Sequence, residues 1–282
     1  MKGILFDLDG VLYVGDRAVP GASEAIAWVR RAEIPHMFVT NTTSRPRSAI
    51  VERLDRLGIA AGEDDLLTPA LAAGDWLVRR LAESDRAARP DGPPRLALFV
   101  PPATQSEFGP AWTWDPAADS TGPDWLDQRP LDAVVVGDLG SAWTFPLLNR
   151  AFELLMRQPR PDLVALGMTR FWRASDGLRL DTGPFVRALE YAAGLDAVVT
   201  GKPEAAFFLA AASHLGLPAD ELVMVGDDVR GDVGGAQRAG MTGVLVRTGK
   251  FSRADLEESG VTPDDVLDSV ADLERWWSYR AG

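Results

Sequence analysis

Short apolar runs alternate with longer amphipathic segments along most of the chain. The apolar runs predict strands at 3–8, 37–40, 95–100, 131–137, 163–166, 197–199, 222–225 and 243–246. Apolar residues at helical spacing predict helices at 21–33, 46–57, 69–82, 145–157, 184–193, 204–215, 234–239 and 269–279. Buried strands that alternate with helices are typical of parallel sheets. The pattern therefore predicts an α/β fold built on a Rossmann-like, doubly wound parallel sheet.

The composition changes twice along the chain. Residues 84–94 are rich in Pro, Asp and Arg, which predicts a linker, and residues 101–130 predict a long irregular loop. The middle of the chain has an α/β pattern of its own, and the first pattern then resumes. We predict a core domain of residues 1–82 and 196–282, interrupted by an inserted α/β cap domain of residues 83–195.

Composition and charge exclude several classes of protein. The 282 residues include no cysteine, so disulfides, thiolate nucleophiles and cysteine-based metal sites are excluded. The net charge of −12 argues against a nucleic-acid partner, which would require a basic surface. The sequence contains neither a signal-peptide pattern nor an apolar run long enough to cross a membrane. We therefore expect a cytoplasmic protein that binds neither nucleic acid nor a membrane.

Polar residues directly follow four of the predicted strands. They are Asp7 with Asp9, then Thr40 with Asn41, then Lys202, and finally Asp227, Asp228 and Asp232. Each group alone has an ordinary explanation as a turn residue, a surface lysine or a solvated acidic loop. The carboxyl ends of parallel strands lie at one edge of a sheet, which is where α/β proteins bind ligands. The four groups are therefore expected to meet in one site.

The combined residue types predict phosphoryl transfer. Carboxylates suit Mg²⁺, which neutralises them and orients a phosphate group. One carboxylate can attack phosphorus to form an aspartyl-phosphate, while Asp9 protonates the leaving oxygen and later activates water. Thr40 and Asn41 can donate hydrogen bonds to the phosphate, and Lys202 adds a fixed positive charge.

The motifs at 6–13, 39–41, 201–203 and 226–228 resemble, in that order, those of the haloacid dehalogenase superfamily. The insertion between the threonine and lysine motifs resembles class IIA with a C2-type cap. That class includes p-nitrophenyl phosphatase-like, pyridoxal phosphate and nucleotide phosphatases. Stretches at 38–43, 181–185, 188–191, 226–237 and 247–251 are similar to the family of phospholysine phosphohistidine inorganic pyrophosphate phosphatases.

The resemblance implies a role for each strand-end residue. By this resemblance, Asp7 would be the nucleophile and a metal ligand, and Asp9 would be the general acid/base and would bind the metal through its backbone carbonyl. Thr40 and Asn41 would bind the phosphate, and Lys202 would anchor the phosphorylated aspartate. Asp227 would bind Mg²⁺, and Asp228 and Asp232 would support the metal or Lys202. Some similar proteins carry serine at the position of Asp9. The aspartate in this chain favours a fully competent phosphatase.

The resulting hypothesis is a Mg²⁺-dependent phosphatase that hydrolyses a small phosphorylated metabolite through an aspartyl-phosphate. The substrate is a phosphate monoester, with a phosphoramidate or pyrophosphate as alternatives. The first alternative function is a phosphomutase or another phosphotransferase of this superfamily, and a non-catalytic phospho-ligand-binding module ranks below it. Dimers are common in the resembled class, so a homodimer is a further expectation.

Substrate choice is expected to come from the cap. The segment 167–173 contains Arg170 and Trp172, which suit an anionic or planar leaving group. The ordinary alternative is a surface loop with core aromatic residues. Arg45 and Arg47 are a second candidate group, and residues 138–144 are a third.

Overall fold

The computed structural model describes residues 1–83, 93–109, 111–118, 130–174 and 177–281. The chain forms two compact units. The core unit comprises Met1–Thr40, Arg47–Thr68 and Lys202–Gly282, and the inserted unit comprises Asn41–Pro46 and Pro69–Gly201. Most of the predicted linker at 84–94, and residues 119–129 of the predicted loop, lie outside the described residues.

A parallel sheet forms the centre of the core unit. Its six strands are β1 (Gly3–Asp7), β4 (His36–Val39), β5 (Leu66–Leu67), β13 (Leu222–Gly226), β14 (Thr242–Val246) and β15 (Asp265–Leu267), in the spatial order β15-β14-β13-β1-β4-β5. The helices of this unit are α1 (Ala22–Arg31), α2 (Arg47–Arg56), α6 (Ala205–Leu215), α7 (Gly235–Arg238), α8 (Arg253–Ser259) and α9 (Leu273–Ala281). A small hairpin of β2 (Tyr13–Val14) and β3 (Arg17–Ala18) follows β1.

Burial on both sides of the central strand explains why this sheet is doubly wound. Successive side chains of a strand point to opposite faces, yet all five residues of β1 are buried. Ile4 and Phe6 point to one face, where they belong to a cluster with Ile26 of α1 and Leu54 of α2, while Leu5 points to the opposite face and is also fully buried. Each such side chain gains about 1.5–3 kcal/mol from burial, which favours helices on both faces. The predicted α/β fold with a parallel core sheet is confirmed.

The inserted unit has a second parallel sheet. Its strands are β6 (Arg95–Phe99), β7 (Trp112–Trp114), β8 (Ala133–Val136), β9 (Asp162–Ala165) and β12 (Val198–Val199), in the spatial order β12-β9-β8-β6-β7. The helices of this unit are α3 (Pro69–Glu83), α4 (Phe145–Leu155) and α5 (Thr182–Ala193). An antiparallel hairpin of β10 (Phe171–Ala174) and β11 (Gly177–Leu180) precedes α5.

The unit boundaries differ from the predicted domain boundaries because α3 and β12 belong to the inserted unit. Val198 and Val199 pair with Val164 and Ala165 of β9, so β12 completes the inserted sheet. This corrects the prediction that 197–199 is a core strand. The chain re-enters the core unit at Lys202, not at residue 196. The alternation of strands and helices is the same in both units, so it could not assign an element to one sheet.

The predicted irregular loop at 101–130 contains regular structure. A 3-10 helix occupies Pro102–Phe108, and β7 pairs in parallel with β6 from Arg95 to Ala97. Tryptophan and threonine favour extended structure, and three residues are enough for an edge strand. No helix in the described ranges has both the length and the hydropathy needed to cross a membrane.

Candidate active site

The carboxyl end of β1 turns sharply into a short loop. The carbonyl of Leu8 accepts hydrogen bonds from the N–H groups of Val11, Leu12 and Tyr13, which closes a single turn. Gly10 adopts φ +91°, a conformation that other L-residues rarely adopt. The turn separates the environments of the two aspartates. Asp7 is buried, whereas Asp9 is exposed.

Lys202 lies between two buried carboxylates. Its Nζ donates hydrogen bonds to Asp7 Oδ1 at 2.6 Å and to Asp232 Oδ1 at 2.7 Å. Asp232 Oδ2 also accepts a hydrogen bond from the backbone N–H of Asp228 at 3.1 Å. A buried charge is stabilised only when it is paired and hydrogen-bonded. The lysine and the two carboxylates therefore hold one another in fixed positions.

Two loops enclose the carboxylate of Asp227, which follows β13. The backbone N–H of Lys250 donates to Asp227 Oδ2 at 2.6 Å. A Cβ atom added to Gly10 would lie 1.8 Å from Asp227 Oδ2, and one added to Gly249 would lie 2.1 Å from the same oxygen. Only glycine at both positions allows the two loops to approach Asp227. Thr248 Oγ1 closes this arrangement by donating to the carbonyl of Gly10 at 2.5 Å.

The buried part of the site has excess negative charge. Asp7, Asp227 and Asp232 are 5%, 1% and 1% exposed, and the single buried ammonium is that of Lys202, within the described part of the chain. Burial and then the charge of Asp7 raise the pKa of Asp227 to about 7 and that of Asp232 to about 6. Burial alone would lower the pKa of Lys202, but Asp232 and Asp7 raise it overall. A cation would relieve this repulsion.

Asp9 has a different electrostatic environment. Partial burial raises the pKa of its carboxyl, and the charge of Lys250 opposes this shift more than any other group. A raised pKa suits a group that must donate a proton to a leaving oxygen near neutral pH. The direction of this shift agrees with the general acid/base role that the resemblance implies for Asp9.

Three carboxylates have the geometry of a divalent-cation site. Ligand oxygens of Asp7, Asp227 and Asp232 all lie within 4.8 Å of one another. Asp227 Oδ1 is buried, and no hydrogen-bond donor among the described residues reaches it. A buried anionic oxygen without a donor is costly, and hard cations prefer oxygen ligands. The residues present therefore fit Mg²⁺. Because Asp232 already accepts bonds from Lys202 and Asp228, Asp7 and Asp227 are the side chains with an oxygen to offer.

The other predicted site residues are distributed over both units. Thr40 follows β4 in the core unit and is buried, and its N–H donates to the carbonyl of Leu67 at 3.2 Å. Asn41 is in the inserted unit, where its Oδ1 lies beside Gly201. Asp228 caps the turn of π-helix at Val229–Gly234 by accepting from two backbone N–H groups.

The predicted cap residues lie at the hairpin of the inserted unit. Arg170 is exposed, and its guanidinium carbon lies 5.9 Å from the ring centre of Phe171. Trp172 is in β10, and its side chain lies outside the described part of the structure. A groove of about 570 Å³ lies beside Arg170 and α5. Its lining includes Met168, Arg170, Phe171, Leu180, Pro184 and Arg187.

One strand end of the site differs from the prediction, and another was not predicted. Lys202 follows β12 of the inserted sheet, so it does not lie at the end of a core strand as predicted. The core strand β14 has its own polar end, Thr248–Lys250, which contacts both Gly10 and Asp227. The Thr-Gly-Lys triplet that begins one residue after the predicted strand 243–246 was the available signal.

Comparison with known proteins identifies the family of this chain. The family model described as haloacid dehalogenase-like hydrolase matches residues 4–89, and the one described as HAD-hydrolase-like matches residues 199–273. The human phospholysine phosphohistidine inorganic pyrophosphate phosphatase is 36% identical over 276 residues, which cover 96% of this chain and 92% of the human protein.

Solved structures give the same assignment. The p-nitrophenyl phosphatase from Archaeoglobus fulgidus has a TM-score of 0.82 at 26% identity, with 98% of each chain covered. A glycerol phosphate phosphatase from Mycobacterium tuberculosis, solved in complex with magnesium, has a TM-score of 0.79 at 26% identity. The alignment covers 96% of this chain and 76% of that one. The chain therefore belongs to the haloacid dehalogenase-like hydrolases and, within them, to the class IIA phosphatases.

Proposed function

We propose that the chain is a Mg²⁺-dependent phosphatase that hydrolyses small phosphorylated molecules through an aspartyl-phosphate on Asp7. The observation that carries this proposal is the buried cluster in which Lys202 holds Asp7 and Asp232 beside the unpartnered oxygen of Asp227. Such a cluster combines a fixed nucleophile, a fixed cation and a vacant carboxylate oxygen in one place. A structural ion pair would need no unpartnered oxygen.

Each residue then has one chemical task. Lys202 bonds Oδ1 of Asp7, and we assign the metal to the remaining lone pair of the same oxygen, so the attack on phosphorus is assigned to Oδ2, which forms a P–O bond as the ester P–O bond breaks. Asp9 gives its proton to the leaving oxygen and then takes a proton from the water that attacks the aspartyl-phosphate. Thr40 and Asn41 donate hydrogen bonds to the phosphoryl oxygens.

The metal is assigned to Asp7, Asp227 and the backbone carbonyl of Asp9. Bound there, Mg²⁺ supplies positive charge that offsets the carboxylates and the incoming phosphate. The glycerol phosphate phosphatase of similar fold was solved with magnesium, which supports this assignment. Asp232 is assigned to Lys202, with Asp228 supporting it.

The substrate class is proposed as a phosphate monoester, with a phosphoramidate or pyrophosphate as alternatives. The name of the human relative favours including phospholysine, phosphohistidine and pyrophosphate in the test panel. A phosphomutase would release an isomer instead of free phosphate, and a non-catalytic binding module would release neither. The homodimer stays a prediction, which light scattering of the purified chain would check.

The test is a phosphate-release screen of the full chain with Mg²⁺ and, separately, with excess chelator. The panel includes p-nitrophenyl phosphate, sugar phosphates, nucleotides, pyridoxal phosphate, phosphoglycolate and pyrophosphate. We expect Mg²⁺-dependent release that falls more than about 10³-fold in Asp7→Asn. The matched control is Asp55→Asn, which changes an exposed carboxylate on α2 and should retain full activity.

A second readout identifies the covalent step. Rapid quenching with phosphorus-32-labelled substrate should trap an acid-stable, base-labile phosphoprotein in the natural chain and none in Asp7→Asn. Release of phosphate that persists in Asp7→Asn would show that Asp7 is not the nucleophile. Absence of turnover on the whole panel in the presence of Mg²⁺ would contradict the proposed function.

A further inference from the structure

The loop after β14 is fixed in place beside the reacting groups. Three contacts hold it: Thr248 to the carbonyl of Gly10, the N–H of Lys250 to Asp227, and the close approach of Gly249 to Gly10. Phe251, the next residue, packs against the cluster formed by Val229, Val233 and Leu245. The backbone position of Lys250 is therefore determined by the same groups that build the carboxylate site.

The side chain of Lys250 is available to a ligand. It is exposed, and none of the ion pairs formed within the described part of the chain includes it. Lys202, by contrast, is buried and already bonds two carboxylates. The site thus contains one lysine, Lys202, whose ammonium is in ion pairs with the protein, and one, Lys250, that is in no ion pair among the described residues.

Lys250 follows Gly249, whose Cα lies against Gly10, so the backbone of Lys250 lies beside the turn that carries Asp9. In agreement with this position, the charge of Lys250 opposes the raised pKa of Asp9 more than any other group does. A lysine side chain is a cation at neutral pH. Asp9 is the group assigned to the leaving oxygen, so this cation lies near the leaving group.

Lysine is rare in this chain. The sequence contains three lysines and 26 arginines, and the third lysine, Lys2, pairs with Glu221 before β1. Two of the three are therefore in the candidate site. A lysine ammonium is a compact point charge with three donors, which can approach a small anion more closely than a guanidinium can.

We infer that Lys250 is a specificity-determining residue that binds a second anionic group carried by the leaving group. The inference rests on the proposed function, because it assumes that the transferred phosphoryl group lies at Asp7. The preferred ligands are then phosphorylated molecules with a carboxylate or a further phosphate close to the scissile oxygen. Neutral leaving groups gain nothing from this contact.

The turnover test compares two substrates that differ in one charge, ethyl phosphate and phosphoglycolate. In Lys250→Met, we expect kcat/KM for phosphoglycolate to fall by about 10- to 100-fold, the cost of one charge-assisted hydrogen bond. The value for ethyl phosphate should fall by a clearly smaller factor, because only phosphoglycolate carries the second anion, so the ratio of the two values is the decisive quantity. Lys250→Arg should recover part of the loss because it restores the charge. The control is Lys2→Met, which should leave both values unchanged.

A binding test separates this inference from the proposed reaction. Calorimetry with phosphonoacetate and ethylphosphonate, at fixed free Mg²⁺, needs no turnover. The natural chain should bind phosphonoacetate more tightly, and Lys250→Met should lose that preference by a similar factor. An equal loss of activity on both substrates, or of affinity for both ligands, would show that Lys250 acts only through Asp227. An unchanged preference for phosphonoacetate over ethylphosphonate in Lys250→Met would also overturn the inference. If the preference is found but no phosphoester is hydrolysed, the inference stands and the proposed reaction fails.

Discussion

The two parallel sheets of this molecule have similar architecture but very different residues at their carboxyl edges. The strands of the core sheet lead into Asp7, Thr40, Asp227 and the loop at 248–250, so two of the three buried carboxylates directly follow core strands. The strands of the inserted sheet lead into Val100, Gly137, Leu166 and Thr200, and only the last of these is followed by a site residue, Lys202. Strand ends determine where a site can form, and the residue types that follow the strands decide whether one does.

The inserted unit uses its strand ends for packing. Trp143 stacks between Phe99 and Phe185, with ring centres 5.7 Å and 4.9 Å apart. Aromatic stacking of this kind adds about 0.5–1.5 kcal/mol to the burial of each pair. Asp138, after β8, is a partly buried carboxylate there, and two backbone contacts, with Thr43 and Gly140, fix its loop.

The largest effect is expected from crowding the core site at Gly249. In Gly249→Ala the new methyl group would collide with Asp227 Oδ2 and the Cα atom of Gly10, and the carboxylate must shift. A misplacement of about 1 Å can reduce activity by about 10²-fold. Steady-state kinetics with p-nitrophenyl phosphate would measure this loss.

The matched control is Gly260→Ala. Gly260 also has a positive φ, +70° against +63° for Gly249, but a Cβ there meets no atom within 4 Å. Both substitutions impose a similar backbone strain, and only one crowds the site. Equal activities in the two variants would show that glycine at 249 is needed only for the backbone conformation of the turn and not for the position of Asp227.

A smaller effect is expected on the stability of the metal-free protein as pH rises. Because the folded-state pKa of Asp227 is raised to about 7, the folded state binds more protons than the unfolded state between about pH 4 and pH 7. Stability therefore falls as pH increases through that window. Asp227→Asn removes the charge, so its Tm in chelator at pH 8 should exceed that of the natural chain by several degrees.

Asp138 of the inserted unit provides a second carboxylate with a raised pKa, against which this prediction can be compared. Partial burial also raises the pKa of Asp138, although the N–H of Gly140 opposes the shift. Asp138→Asn should therefore give a smaller gain in Tm at pH 8 than Asp227→Asn, when both are measured by thermal melts from pH 4.5 to pH 8. A larger gain in Tm for Asp138→Asn would show that the carboxylate charge of Asp138 destabilises the folded state more than that of Asp227 does.

The smallest effect is expected from Arg170, the exposed cap residue. If it contacts a substrate anion, Arg170→Ala should raise KM by no more than about fivefold, the value of one solvent-exposed charge contact, and should leave kcat unchanged. Arg79→Ala, which removes an exposed arginine from α3, serves as the control. A large fall in kcat in Arg170→Ala would place this guanidinium among the reacting groups.

Much of the core could be predicted from local pattern. Buried strands such as β1 and β13 are continuous apolar runs, and the helices that cover them carry apolar residues at helical spacing. Asp7 and Asp227 could be singled out because each is a charged residue directly after such a run. Elements of two or three residues, such as β2, β7 and β15, carry too few positions to show any periodicity.

The assignment of elements to a sheet could not be read from the sequence. A Val-Val pair such as β12 suits any parallel sheet, and only its register with Val164 and Ala165 shows which one it joins. For the same reason, Lys202 was placed at a core strand end. Its actual position depends on the ion pairs with Asp7 and Asp232, which are 195 and 30 residues away.

The sequence by itself determined the fold class and the types of group that the site contains, because strand periodicity and the order of the acidic, threonine and lysine motifs are local properties of the chain. Only the tertiary structure decided which carboxylates lie close to one another and which lysine is buried in ion pairs with them. Those properties depend on distances between residues far apart in sequence. The glycines at 10 and 249 show this most directly, since their absence of side chains matters only where two distant loops converge on Asp227.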